Sequence, residues 1–316
     1  MKVIRIHRYG SLDVMKYEEV LVSKPGKGEV LLRVHAAGVN PADAKIREGE
    51  AFASLYPFYK DPFPFILGWD VSGVVSQIGA GVTGFNIGDE VYGMVNFPYE
   101  GGAYAEYVTA PATHLAIKPV SLSHIEAAAL PLAALTAWQA LFGAAGLSGG
   151  ESVLIHAAAG GVGHLAVQLA KWKGASRIIG TAASNDTAYL QTIGVDEVID
   201  YMTANFEDTV KDVDIVMDCV GGEVQENSWQ VLKKGGFLVT IMEPPPKEKA
   251  EAFGVRAERI FVKADAGDLK EIAQVVDAGK LVPYIYRVFP LREAREAHEL
   301  LEKGQTRGKI VLSIVD

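Results

Sequence analysis

Cysteine is nearly absent: Cys219 is the only one in 316 residues. A disulfide within the chain is therefore excluded, and so is any zinc centre that needs two or more thiolates. Long apolar runs are missing as well. No uninterrupted stretch approaches the roughly 20 residues that span a bilayer, and the opening MKVIRIHRYG reads as a charged strand rather than a signal peptide. The expectation is a cytoplasmic chain with no membrane partner. Positive charge is in short supply, with 30 Lys and Arg against 39 Asp and Glu and a net charge of −9. That balance speaks against a nucleic-acid partner, while leaving room for a local basic pocket that holds a phosphate. Internal repeats and low-complexity segments are lacking too, and Pro244-Pro245-Pro246 reads as a rigid loop. The remaining composition, 49% hydrophobic and 22% charged, suits a globular enzyme long enough for two domains.

What is present begins with HAAAGGVGHLAVQLAKWKGA, residues 156–175. Gly160, Gly161 and Gly163 follow an apolar run and precede Leu165, Leu169 and Trp172 at helical spacing, so the segment reads strand, tight turn, helix. Glycine lets a ligand approach the exposed N–H groups, and the helix N-terminus adds partial positive charge, which together suit a pyrophosphate. The usual dinucleotide fingerprint is G-x-G-x-x-G, and here Ala158 stands in place of its first glycine. A close strand–helix crossing that needs small residues for packing alone would look the same, so the neighbourhood has to decide.

Residues 2–8, 29–35, 70–79, 90–94 and 105–109 read as strands, with glycine turns between them and a single short helix near 41–47. From 123 onward the pattern turns helical, at 127–132 and 136–144. It then alternates strands at 152–156, 177–181, 197–199, 214–218, 236–241 and 259–263 with helices, the last of them at 268–278. Such alternation is the mark of a parallel α/β sheet, and it supplies the βαβ unit that the glycine turn requires. The tail holds a helix at 290–298 and a strand at 308–314, which is expected to return to the first domain. The fold class is α/β, a doubly wound parallel Rossmann sheet plus a β-rich domain. The domains are 1–117, 118–280 around the sheet, and 281–316 as the return segment.

Several motifs spread along the chain point to one family. Gly38-Val39-Asn40-Pro41-Ala42-Asp43, Gly68-Trp69-Asp70-Val71-Ser72-Gly73, Gly88-Asp89-Glu90-Val91, Ala158-Ala159-Gly160-Gly161-Val162-Gly163 and Arg307-Gly308-Lys309-Ile310-Val311 together resemble the medium-chain dehydrogenase/reductase superfamily. Within it the chain looks like the zinc-independent quinone oxidoreductase branch. The resemblance implies a GroES-like catalytic domain built from both chain ends, a Rossmann domain, cofactor and substrate in the cleft between, and a homodimer. Zinc-dependent members hold their metal with cysteine, histidine and a further cysteine or acid. The matching positions here are Asn40, Trp69 and approximately Leu132, with Asp70 as the one adjacent oxygen donor. One carboxylate does not make a zinc site, so the expected cofactor set is NADPH, with NADH second, and no zinc.

Without a metal to stabilise a localised alkoxide, the acceptor has to spread its own charge, as a quinone or an α,β-unsaturated carbonyl does. The expected catalytic residues are Asn40 as orienting or carbonyl-binding group, Asp43, Lys45 and Thr136. Lys45 reads equally well as a solvated helix lysine, and Thr136 as a helix hydroxyl bonded to its own backbone. By resemblance, cofactor contacts fall to Thr136, Ala159, Gly160, Gly161, Val162, Gly163, Thr181, Ser184, Tyr201, Val220, Gly221, Thr240 and Lys309. NAD-specific folds place an acid at the end of the second strand, where this chain has Ala182-Ala183-Ser184-Asn185. The missing carboxylate favours NADPH, with Ser184 and Tyr201 beside its 2′-phosphate. Phe52, Tyr56, Phe58, Tyr59, Trp69, Phe97 and Tyr99 are expected to line the substrate side, some of them serving only as core. His35, His114, His124, His164 and Cys219 read as structural. The competing reading is a structural or redox-sensing NADPH-binding protein with little or no turnover.

Overall fold

The computed structural model describes residues 1–49 and 63–315, so Phe52, Tyr56, Phe58 and Tyr59 lie outside the described residues. The chain divides into two compact units: residues 1–132, 263–278 and 283–316 form one, and residues 133–262 with 279–282 form the other.

The first unit is mostly antiparallel. Its strands are β1 (Lys2–Ile6), β2 (Lys16–Glu19), β3 (Glu29–Val39), β4 (Phe65–Ile66), β5 (Asp70–Ile78), β6 (Glu90–Met94), β7 (Tyr107–Pro111) and β8 (Leu115–Ile117). Helix α1 (Pro41–Glu48) follows β3 and α2 (His124–Ala128) follows β8, while α3 (Pro131–Trp138) runs across the division between the units. The long strand β3 is the axis. It pairs antiparallel with β5 through Gly38 opposite Asp70, and with β7 through Leu32 opposite Val108. A Cβ on Gly38 would lie 2.4 Å from the carbonyl oxygen of Ala128, so only glycine lets α2 press this close to the sheet.

The second unit is the parallel sheet. Its strands are β9 (Ser152–Ile155), β10 (Arg177–Ala182), β11 (Glu197–Asp200), β12 (Val213–Asp218), β13 (Leu232–Thr240) and β14 (Arg256–Arg259). Between them run α4 (Gly163–Lys173), α5 (Thr187–Ile193), α6 (Phe206–Thr209), α7 (Gly222–Ser228) and α8 (Lys247–Phe253). The strand order is β11-β10-β9-β12-β13-β14, all parallel, which is the doubly wound Rossmann order, with its reversal between β9 and β12. Leu154, Ile179 and Val216 on neighbouring strands pack with Phe206, Val210 and Val231, as expected of strands buried on both faces.

The chain then returns to the first unit through α9 (Ala266–Asp277), β15 (Ile285–Pro290), α10 (Ala294–Glu302) and β16 (Lys309–Ser313). The final strand pairs antiparallel with β3, Ile310 opposite Val39, which sets Lys309 beside the β3–α1 junction.

Some elements differ from the sequence reading. The sixth parallel strand is Arg256–Arg259, three residues earlier than the expected 259–263, because it pairs with β13 only as far as Thr240 opposite Arg259. The helix expected at 136–144 stops at Trp138 and continues as a π-helical turn over Gln139–Ala144. Strand β2 exposes Lys16, Tyr17 and Glu19, and β15 exposes Tyr286, Arg287 and Val288 in succession, so neither shows a buried–exposed alternation, which is why the sequence hides them. Residues 118–132 and 263–278 lie in the first unit, whereas the sequence reading grouped them with the parallel sheet.

Candidate active site

In the first unit, the registers of β3, β5 and β16 bring Asn40, Asp70 and Lys309 together, and all three are buried. Asn40 caps α1. Its backbone N–H donates to Asp43 Oδ2 at 2.7 Å, and its side-chain Nδ2 donates to Asp70 Oδ2 at 2.9 Å. Lys309 Nζ donates to Asn40 Oδ1 and to the carbonyl of Val39 at 3.0 Å, and sits 3.8 Å from Asp70 Oδ2. The backbone N–H of Leu132 closes the group on Asp70 Oδ1 at 2.7 Å. The Asn40 amide is thus anchored at its oxygen by Lys309 and through one of its two Nδ2–H groups by Asp70.

Asp43 has two further features. Its Oδ2 also accepts from the Tyr104 hydroxyl at 3.2 Å, and its Oδ1 has no hydrogen-bond partner among the described residues. Burial first, with the charge of Asp70 adding to it, pushes Asp43 up to about 7; burial likewise pushes Asp70 up to about 6, against the pull of Lys309. Behind Tyr104 stands His298, whose Nε2 lies 3.2 Å from the hydroxyl and whose Nδ1 faces Arg47 NH1 at 3.4 Å. Arg47 always donates, so His298 accepts at Nδ1 and carries its proton on Nε2. Burial, reinforced by Arg47, lowers His298 to about 3 and keeps it neutral. Arg47 is itself fully buried and paired with Glu302 at 2.6 Å and with Glu48. Tyr104, His298 and Arg47 carried no sequence signal, because the partners of this chain are up to 255 positions apart. Lys45 is exposed on α1 and makes no ion pair among the described residues, which favours its reading as a solvated lysine.

In the second unit the glycine turn joins β9 to α4. Ala157 enters it at φ 52°, and the N–H groups of Gly161 and Val162 have no partner among the described residues. A Cβ on Gly163 would meet the carbonyl oxygen of Ala157 at 2.2 Å, so this glycine is required for the close crossing of turn and helix. Ala158 replaces the usual first glycine, and the space is recovered across the sheet. A Cβ on Gly180 would lie 2.7 Å from the Ala158 methyl, so β10 gives up the side chain that the turn has gained. Ala159 is buried beside it.

Thr181, on β10, accepts the Ala157 N–H at 3.2 Å and meets His156 Nδ1 at 3.1 Å. Its hydroxyl oxygen engages both groups beneath the turn. Thr240 is also buried and spent. It donates to Asp218 Oδ2 at 2.9 Å and accepts from Met242 N–H at 3.0 Å, while the N–H groups of Val220 and Gly221 bind Asp218 Oδ1 at 2.9 and 2.8 Å. Ser184, in contrast, is exposed just past β10, and Tyr201 is exposed beside it, its N–H donating to the carbonyl of Ala182 at 3.3 Å. Thr136 is buried within α3.

Of the aromatic residues in the described part, Trp69 is buried, packs edge-on against Phe97 at 5.2 Å and donates its indole N–H to the carbonyl of Tyr99 at 2.8 Å. These two are core, and Tyr99 is exposed. His124 bonds Ser72 and stacks on His35 at 4.3 Å, His114 accepts from Asn96, and His164 lies 2.8 Å from the carbonyl of Gly160. Each has a structural place.

Could these residues hold a nicotinamide dinucleotide or a zinc ion? The turn supplies free N–H groups at the N-terminus of an 11-residue helix, at the reversal of a Rossmann sheet, and it fits a pyrophosphate. The first unit's centre does not fit zinc. Asn40 Oδ1 is occupied by the Lys309 ammonium, the Asp70 oxygens already accept two N–H donors, and no imidazole or thiolate among the described residues forms a metal-binding group with them.

Comparison with known proteins agrees with this architecture. Residues 26–120 match the family model for the alcohol dehydrogenase GroES-like domain, and residues 193–312 match that for zinc-binding dehydrogenase. A 2-methylene-furan-3-one reductase of Solanum lycopersicum is 37% identical, over 99% of this chain and 79% of its own length. The chain belongs to the medium-chain dehydrogenase/reductase superfamily, in its quinone oxidoreductase branch. It is an oxidoreductase of an NAD(P)H-dependent family. Among solved structures, the quinone oxidoreductase of Coxiella burnetii superposes with a TM-score of 0.92 at 39% identity, covering 100% of this chain and 99% of that one. The Escherichia coli quinone oxidoreductase complexed with NADPH gives 0.88 at 28% identity, covering 99% and 100%. No helix among the described residues is long and apolar enough to cross a membrane.

Proposed function

We propose that this oxidoreductase reduces a quinone or an α,β-unsaturated carbonyl with NADPH and without zinc. The observation that carries the reading is the buried ammonium of Lys309, which occupies the oxygen donors of Asn40 and Val39 beside Asp70. A centre that holds a fixed cation of its own has no open position for a Lewis acid. When bound, a reduced nicotinamide supplies the hydride. An acceptor that delocalises the resulting negative charge needs orientation rather than metal, and water supplies the proton.

The residues divide into those that face a ligand and those that hold them. The backbone of Ala159, Gly160, Gly161, Val162 and Gly163 takes the pyrophosphate, Ser184 and Tyr201 flank the 2′-phosphate, and Val220 and Gly221 border the nucleotide. Thr181 and Thr240 brace these turns from within. Asn40, Asp43 and Lys309 fix the start of α1, and Lys45 and Thr136 complete the proposed set. The names of relatives support the acceptor class: one reduces a 2-methylene-furan-3-one, and another is an NADPH-dependent alkenal/one oxidoreductase of Arabidopsis thaliana. The exposed Ser184 hydroxyl, without a carboxylate of its own, supports NADPH over NADH. Nothing observed favours a purely structural or redox-sensing role.

The test follows NADPH oxidation against 9,10-phenanthrenequinone and a panel of enones, with NADH in parallel. Turnover with NADPH and a weaker rate with NADH are expected, and Ser184→Asp is expected to shift preference towards NADH. Absence of turnover across the whole panel would overturn the reading.

A further inference from the structure

His156 is the last residue before the glycine turn, fully buried, and sequence analysis gave it no role beyond ending a strand. Its ring joins two hydroxyls. Nε2 lies 3.0 Å from Ser228 Oγ, and Nδ1 lies 3.1 Å from Thr181 Oγ1. The directions of these bonds are determined. The Ser228 hydroxyl donates to the carbonyl of Val224 at 2.7 Å, so its oxygen accepts from His156 Nε2–H. The unprotonated Nδ1 therefore accepts the Thr181 proton, and the Thr181 oxygen is left to accept the N–H of Ala157 at 3.2 Å.

The result is a one-way chain from Ala157, through Thr181, His156 and Ser228, to the α7 carbonyl. Both of its ends matter. Ala157 sits at φ 52°, in the left-handed region that a non-glycine residue enters only when its surroundings hold it there. Helix α7 opens directly after the Val220–Gly221 turn. The chain thus ties the turn after β9 to the helix after β12, the two strands that flank the reversal of the sheet. Phe206 packs edge-on against the imidazole at 4.6 Å.

We propose that His156 is a positioning residue for dinucleotide binding: through Thr181 and Ser228 it holds the glycine turn and α7 in the relative geometry that receives the pyrophosphate. This rests on the function proposed above, and two readouts keep the ideas separable. In the protein without nucleotide, hydrogen–deuterium exchange at residues 157–163 is expected to rise several-fold in Thr181→Val and in His156→Leu, and to stay near the parent rate in Thr181→Ser, which keeps the hydroxyl. In isothermal titration with NADPH, the first two variants are expected to raise Kd about tenfold, the scale of one lost hydrogen bond, and Thr181→Ser less than threefold. Unchanged exchange at the turn in Thr181→Val, or a Thr181→Ser variant as impaired as Thr181→Val, overturns the proposal. If the parent protein binds no NADPH, the functional reading falls, while the exchange experiment still decides whether His156 holds the turn.

Discussion

Each unit buries a polar centre, and the two are built from opposite materials. In the first unit the centre is ionic: Lys309 against Asp70, with Asp43 and Arg47 close by, all buried. In the second, the turn is braced by a neutral chain of two hydroxyls and an imidazole. A buried ion pair adds little net stability while intact, yet removing one member strands the other in a low dielectric. A neutral chain loses only the bonds removed. The first centre can therefore act as a fixed charge, and the second holds the turn after β9 through neutral groups, with the Asp218 carboxylate engaged at the neighbouring Val220–Gly221 turn.

The largest effect is expected from Lys309→Met, which strands Asp70 and leaves the Asn40 carbonyl oxygen without its donor. A loss of about 3–5 kcal/mol in urea unfolding follows from an uncompensated buried charge. Adding Asp70→Asn removes that charge while keeping an acceptor for the Leu132 N–H, and should restore about half of the loss. A cost below about 1 kcal/mol for the single change would mean that the pair is not ionic.

Acidity separates the two centres next. Burial raises Asp43 to about 7, so the folded state binds a proton there that the unfolded chain releases above its ordinary value of 3.8. Its contribution to stability is present below that value and is lost as pH rises towards 7. Burial lowers His156 to about 4, with Asp218 opposing, so its contribution is present above 6.5 and is lost as pH falls towards 4. Over that shared window the two act in opposite directions, each with a slope of at most about 1.4 kcal/mol per pH unit. Urea midpoints followed from pH 4 to 7 should therefore rise more steeply with pH in Asp43→Asn and less steeply in His156→Gln than in the parent. Parallel profiles in all three proteins would contradict these protonation states.

A smaller effect belongs to the packing of the turn. Gly180→Ala forces two methyl groups within 2.7 Å and should cost about 1–3 kcal/mol, with Ala158→Gly in the same chain recovering most of it. Smallest is Ser228→Ala, which leaves the His156 Nε2–H unmatched and takes one donor from the Val224 carbonyl, at about 1–2 kcal/mol.

Local sequence carried the glycine turn, the alternation of the parallel sheet and the return of the last strand, because each rests on periodicity or on a residue type with one conformational use. The β3, β5, β6 and β9 positions followed from the same signal. Edge strands such as Lys16–Glu19 were hidden because nothing buries them. In the site, Asn40, Asp43 and Lys309 were legible as motif positions, but their partnerships were not. Whether an amide faces a ligand or a lysine depends on strand register, here Gly38 opposite Asp70 and Val39 opposite Ile310, which no local pattern encodes. Tyr104 and His298 are separated by 194 positions, and only the fold joins them. Ala158 departs from the fingerprint, and the glycine that makes room for it, Gly180, lies on the neighbouring strand.

Metal independence of hydride transfer is the central claim, and initial rates with NADPH and 9,10-phenanthrenequinone test it most directly, measured before and after exhaustive chelation and again with added zinc. The account predicts one rate under all three conditions. A rate abolished by chelation and restored by zinc would contradict it.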